Sequence, residues 1–121
     1  MSVVVTTEQP TRDTWQATWA SLLTTENGNS VSIPVECTTR SVHVSGAVGT
    51  GGSIALQGSN DNANWAVLSS GLGAQGDLTG LAPAAPPGAI VRAIYENVRF
   101  IRPVVLSGDG ATNLKVIVVA A

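Results

Sequence analysis

The sequence predicts an all-β fold, an antiparallel β-sandwich or jelly roll with an extended N-terminal arm. Three observations carry that expectation. Apolar residues fall at every second position in successive short segments, as in Val42 and Val44 or Ile54 and Leu56. Turn signals rich in Gly, Asn and Asp separate those segments, at 26–29, 49–52, 59–64 and 108–110. Only residues 14–23 and 89–96 admit a helical reading as well. At 121 residues the chain has room for one domain with one core, divided into an arm over 1–12 and a sandwich over 13–121.

The arm opens with the apolar triplet Val3, Val4, Val5 and turns polar through TTEQPTR. A β-forming terminus can pair in its own sheet or add a strand to a neighbour's, and the sequence leaves both open. In residues 14–23, Trp15, Ala17 and Trp19 alternate as in a strand, while Trp15, Trp19, Leu22 and Leu23 also fit helical spacing. Strand is preferred, because Thr and Trp favour sheets and the neighbouring segments are β. Asn27-Gly28 then reads as the closing turn. Residues 30–36 alternate Val31, Ile33 and Val35, and Pro34 sets this strand at an edge or a bulge.

Residues 40–69 read as a β-meander, with strands in RSVHVSGAV, SIALQGS and WAVLS joined by hairpin turns at GTGG and NDNAN. Residues 70–88 lose the alternation in a run rich in Gly, Ala and Pro. Long aperiodic loops tend to be functional. Leu72, Leu78, Leu81, Pro83, Pro86 and Pro87 mark this one as a contact loop, with a plain crossover between sheets as the other reading. Residues 89–96 form a strand or a single helical turn. Residues 98–107 are a firm strand in which Pro103 again signals an edge or bulge. After Gly108-Asp109-Gly110, residues 112–120 close the fold as an apolar strand.

Six basic residues against eight acidic ones give a net charge of −2. Nucleic-acid binders carry a basic excess to neutralise phosphates, so no nucleic acid is expected as partner. No run approaches the ~20 apolar residues of a membrane span, and no membrane partner is expected. The N-terminus lacks the basic-then-apolar pattern of a signal peptide, so a chain first kept in the cytoplasm is expected. Only 12% of residues are charged, low for a free soluble surface, which points to a surface partly covered by a partner.

The single cysteine, Cys37, excludes an intrachain disulfide and a Cys-based zinc site, and its apolar setting reads as buried. His43, the only histidine, lies mid-strand on the face of Ser41 and Ser45 and reads as a solvent-facing residue instead of a triad member. Residues 59–64 are rich in oxygen ligands but lack the carboxylates and closing Glu of an EF-hand, and read as a turn. GTGG has neither the Lys nor the helix of a phosphate-cradling loop. Catalytic, cofactor-binding and metal residues are therefore not expected, nor is enzyme activity. Trp65 alternates with Val67 and reads as core, while Trp15 and Trp19 stay open between core and interface.

The run Val44-Ser45-Gly46, a Gly-rich turn, then Leu56-Gln57-Gly58-Ser59-Asn60-Asp61 and Asn64-Trp65 resembles a pattern of small β-sandwich proteins of tailed bacteriophages. Val98-Arg99-Phe100-Ile101-Arg102-Pro103, a glycine turn and a Val-rich last strand resemble the closing half of those proteins. The match covers residues 40–120 and leaves out the N-terminal third. Such sandwiches serve as capsid decoration (cement) proteins and as tail or fibre accessories. The resemblance implies a virion protein on the capsid surface, made in the host cytoplasm, that bridges major capsid protein subunits as a homo-oligomer, a dimer or trimer. Under that reading Val3, Val4, Val5 and the 70–88 loop are the partner contacts. A tail module binding carbohydrate or receptor is the alternative it implies.

Overall fold

A computed structural model of the chain describes residues 2–3, 5–11, 14–34, 36–70, 76–81, 83 and 88–121, with 2–3 and 8–11 described by backbone alone. Among the described residues there are strands and no helix. In chain order they are β1 (Ser2–Val3), β2 (Thr6–Thr11), β3 (Thr14–Leu22), β4 (Asn27–Gly28), β5 (Val31–Ser32), β6 (Arg40–Ala47), β7 (Ser53–Ser59), β8 (Ala66–Val67), β9 (Gly88–Ile94), β10 (Phe100–Ser107) and β11 (Asn113–Ala120). Sheet A has the order β1-β4-β10-β7-β8, with β5 also paired to β10; sheet B has the order β2-β3-β11-β6-β9. Pairing is antiparallel throughout except between the two-residue strands β1 and β4.

The alternation seen in the sequence becomes the core between the sheets. Ala17, Trp19, Val42, Val44, Leu114, Val116 and Val118 from sheet B meet Val31, Ile54, Leu56, Ile101 and Val105 from sheet A in one apolar cluster. The expected all-β sandwich is thus the fold. Residues 14–23 are strand, and so is the stretch around residues 89–94. The N-terminal segment takes the first of its two fates, since β1 pairs with β4 in sheet A and β2 with β3 in sheet B.

Two expectations are corrected. Residues 40–69 are not a meander: β6 lies in sheet B while β7 and β8 lie in sheet A, so 48–52 arches from one sheet to the other. Gly49 adopts φ 82° there, and a Cβ on it would run into Asp109 and Thr112. Those two residues stitch the arch to the next one, between β10 and β11. The Asp109 carboxylate accepts from the N–H of Thr50 and of Ala111, both at 2.9 Å, and the Thr112 hydroxyl donates to Val48 O at 2.8 Å.

Second, Asn27-Gly28 is not the turn after β3. The chain reverses at Thr24 and Thr25, with Thr25 at φ 60° and Glu26 N–H donating to Leu23 O at 3.2 Å. Gly28 serves packing instead, because a Cβ on it would lie 2.6 Å from the Trp19 ring and 2.7 Å from Pro103.

Pro103 lies in an interior strand, and of the edge or bulge that it signals it meets the bulge: Ile101 pairs with Val31 but Val104 with Asn27, so the β4–β5 segment carries one extra residue opposite it. On the side away from β7, β10 meets first β5 and then β4, with Asn29 and Ser30 between them. Continuing the β5 register, Ile101 opposite Val31, places Pro103 opposite Asn29. Proline has no N–H to donate there, and the buried Trp19 indole donates to Asn29 O at 2.9 Å in its place. The strand expected over 30–36 is correspondingly short, leaving β10 after Ser32 and Ile33.

Arg40 joins the sheets at the opposite end. It is 4% exposed, donates from Nε to Cys37 O at 2.8 Å and from its terminal nitrogen to Val98 O at 2.6 Å. Burial pushes its pKa below the usual guanidinium range, with the nearby Cys37 acting the other way.

Candidate functional site

The outward face of sheet B follows from its register. One row across β3, β11, β6 and β9 is Thr18, Ile117, His43, Val91; the next is Gln16, Val119, Ser41, Ala93; a third joins Lys115, Ser45 and Ala89. These side chains are half-buried or exposed, whereas their inward neighbours Val42, Val44, Val116 and Val118 are buried. In the three rows Lys115 is the one ammonium, set among hydroxyls and small aliphatics. His43 lies between Ile117 and Val91, so its row offers it no carboxylate to orient a proton.

This face ends at β9, whose backbone polarity can be assigned. Thr39 and Ala121 exchange both N–H···O bonds, at 3.2 and 2.9 Å, at the end of the β6·β11 ladder. Residues of β6 with odd numbers therefore bond to β11 and those with even numbers to β9. On β9, Gly88, Ile90, Arg92 and Ile94 face β6, and Ala89, Val91 and Ala93 direct N–H and C=O away from the sheet. The next outward group, Tyr95 N–H, donates to Ser69 O at 2.8 Å. Val91 O accepts from the exposed Arg92 guanidinium at 3.0 Å. Val91 and Tyr95 are 57% and 70% exposed, the two most exposed large apolar side chains among the described residues.

The other sheet rims are blunted. Strands β1 and β8 have two residues each, and β2 contains Pro10. Beside β8, Leu78 N–H donates to Leu68 O at 3.0 Å and Leu81 N–H to Ile54 O at 2.9 Å.

A second surface lies on the outward face of sheet A. The Arg102 guanidinium stacks 4.2 Å from the Trp65 ring centroid and donates from Nε to Gln57 Oε1 at 3.0 Å; Arg99 lies 5.6 Å from the Phe100 ring. Trp65, expected in the core, is half-buried in this stack, where a guanidinium finds both an aromatic face and an amide acceptor. Trp19 is core, and Trp15 packs partly against it.

The Asp61 and Asn60 oxygens of 59–64 are taken up by hydrogen bonds from the loop itself and from Arg99. Asp61 Oδ1 accepts from Ala63 N–H at 2.9 Å, Asn64 N–H at 2.8 Å and the Ser59 hydroxyl at 2.8 Å, and Asn60 Oδ1 accepts from Arg99 N–H at 3.1 Å. The bonds from Asn64, Ala63 and Ser59 push the Asp61 pKa far below the usual aspartate range, Asn64's contribution first. Asp77 is shifted the same way by the Ser70 hydroxyl and N–H, and Asp109 by Thr50 N–H and Ala111 N–H.

Of the expected partner contacts, Leu78 and Leu81 are corrected: they are 1% and 4% exposed and belong to the core, held inward by the two backbone bonds beside β8. Pro83 is buried too. Val3 pairs through its backbone with Gly28, and Val5 packs partly against the core. Val4, Leu72, Pro86 and Pro87 lie outside the described residues. Sequence reasoning missed the β9 edge, although GAIVRAI, with one charge and no proline, carries the signal of an unprotected strand. Compared with protein-family models and with curated proteins, the chain matches none.

Proposed function

We propose that the chain is a non-enzymatic virion structural protein, a capsid decoration (cement) protein that bridges major capsid protein subunits on the outside of the shell. The observation that carries this reading is the outward face of sheet B, whose rows across β3, β11, β6 and β9 carry Ser, Thr, Gln, Ala, Val, Ile and His43 side chains with Lys115 as their one ammonium. Docking such a face strips water from few charges, so weak attraction per copy suffices. The sequence resemblance to phage sandwich proteins supports the same reading. A protein that binds the assembled lattice stabilises it by mass action, and many copies make modest contacts strong.

Co-sedimentation with expanded phage capsids lacking the protein tests it. Saturable binding at a fixed ratio to the major capsid protein is expected. Ile117→Lys, which places a charge mid-face, is expected to weaken that binding about tenfold through an unpaired charge at the contact. Absence of binding by the unaltered protein would overturn the reading.

The Trp65 and Arg102 stack favours a second reading, a tail module that binds carbohydrate, since aromatic faces beside amide and guanidinium groups suit sugar rings. Glycan-array binding lost in Trp65→Ala would support it, and a blank array would remove it.

A further inference from the structure

We propose that β9 of one copy pairs antiparallel with β9 of a second copy about a two-fold axis at Val91, joining two five-stranded B sheets into one of ten strands. The outward groups of Ala89, Val91 and Ala93 are spaced symmetrically about Val91. In that register Val91 faces Val91 of the second copy and Ala89 faces Ala93, and each facing pair exchanges two N–H···O bonds.

The side chains are self-complementary in the same register. Val91 meets Val91, a favourable β-branched pair across strands. Ala89 and Ala93 are small. Arg92, the one charged residue of β9, falls opposite Ile90 of the second copy and not opposite itself, so no like charges meet and its stem can lie along a half-buried aliphatic. Its guanidinium releases Val91 O, the outward carbonyl that it now occupies.

The register makes the outward faces continuous, with the row Ile117, His43, Val91 running into Val91, His43, Ile117 of the second copy. It also removes the one long rim of the molecule that lacks a proline, a lysine, a bulge or a covering loop among the described residues. A closed two-fold contact of this kind uses one patch on both copies.

The test is made on the full chain in solution with no capsid present, so its outcome stands apart from the decoration reading. Sedimentation velocity over a concentration series is expected to show a monomer–dimer equilibrium. Val91→Lys, with its fold checked by circular dichroism, is expected to raise the dissociation constant at least about tenfold by setting like charges face to face. Val91→Cys then tests the register independently. Facing residues in a bonded pair lie about 5.5 Å apart at Cα, within disulfide reach, so Val91→Cys is expected to cross-link on mild oxidation about tenfold faster than Ala63→Cys on the exposed turn, through effective concentration. A mixture of Ala89→Cys and Ala93→Cys is expected to cross-link faster than either alone, and the unaltered protein, whose Cys37 is buried, not at all. A monomer at every concentration, or a dimer in which Val91→Cys cross-links no faster than Ala63→Cys, would overturn the proposal. So would a β9 edge that takes up only a strand from a different protein.

Discussion

At the rim of sheet A, β8 supplies two residues, and the backbones of Leu78 and Leu81 then bond beside it to Leu68 and Ile54. At the far rim of sheet B, β9 runs for seven residues and leaves the N–H and C=O groups of Ala89, Val91 and Ala93 facing outward. Both rims belong to the same sandwich and both flank buried Val, Ile and Leu. The difference is that the β8 rim of sheet A is finished by a loop of its own chain, while the β9 rim of sheet B pairs in unbroken register with β6 and is left unfinished. A strand edge left regular is a template for another strand, and in this molecule that edge is on sheet B.

The largest effect is expected from breaking the cover of sheet A. Leu78→Ala removes a side chain that is 1% exposed and is expected to cost about 3 kcal/mol in urea unfolding, with the oligomeric state of the folded protein unchanged. A loss below about 1 kcal/mol would show that the loop lies on the rim without closing it. Next comes Gly28→Ala. Its methyl would sit 2.6 Å from the Trp19 ring, and overpacking of this kind is expected to cost about 2 kcal/mol, again measured by urea unfolding; an unchanged midpoint would mean that the indole can move and still reach Asn29 O.

On the open side, and at a concentration where the protein is monomeric, Val91→Lys is expected to change stability by less than about 0.5 kcal/mol, because the residue is exposed. A drop as large as that of Leu78→Ala would erase the distinction between the two rims. The smallest effect is that of acid. Asp77 bonds the hydroxyl and N–H of Ser70 next to the covered rim, and its pKa is held below the usual aspartate range. A carboxyl group with a lowered folded-state pKa stabilises the fold fully above the range of the unfolded chain, and that stabilisation is lost as pH falls through the folded value. The melting temperature is therefore expected to fall as pH drops below the ordinary aspartate range, and less steeply in Asp77→Asn. Equal slopes in the two proteins would take Asp77 out of the account.

The regular parts of the fold were legible because alternation reports one buried face directly. Val42 and Val44, and Ile54 and Leu56, point inward as their spacing requires, and so do Leu114, Val116 and Val118, while Ile117 and Val119 lie on the outer face. Sheet membership was not legible. The glycines of 49–52 serve an arch as well as a hairpin, so local pattern made a meander out of strands that belong to opposite sheets. Gly28 mimicked a turn because glycine is selected both by left-handed backbone and by lack of room, and here the Trp19 ring takes the space. Leu78 and Leu81 were misread because an aperiodic loop hides which of its residues plug a core. The free edge at β9 is a property of topology, and composition alone could say only that the segment is poorly defended.

The order of sheet B bears on how the chain is made. Strand β11 lies between β3 and β6, so residues 113–120 supply the middle of the sheet and both of its neighbours wait for them. On a ribosome, β3 and β6 emerge long before the strand that joins them, and sheet B cannot form until residue 120 has left the exit tunnel. Contacts this distant in sequence fold slowly, and the apolar faces of β3 and β6 need shielding from other nascent chains meanwhile. With only 12% of residues charged, those faces have little like-charge repulsion to hold other chains off during synthesis.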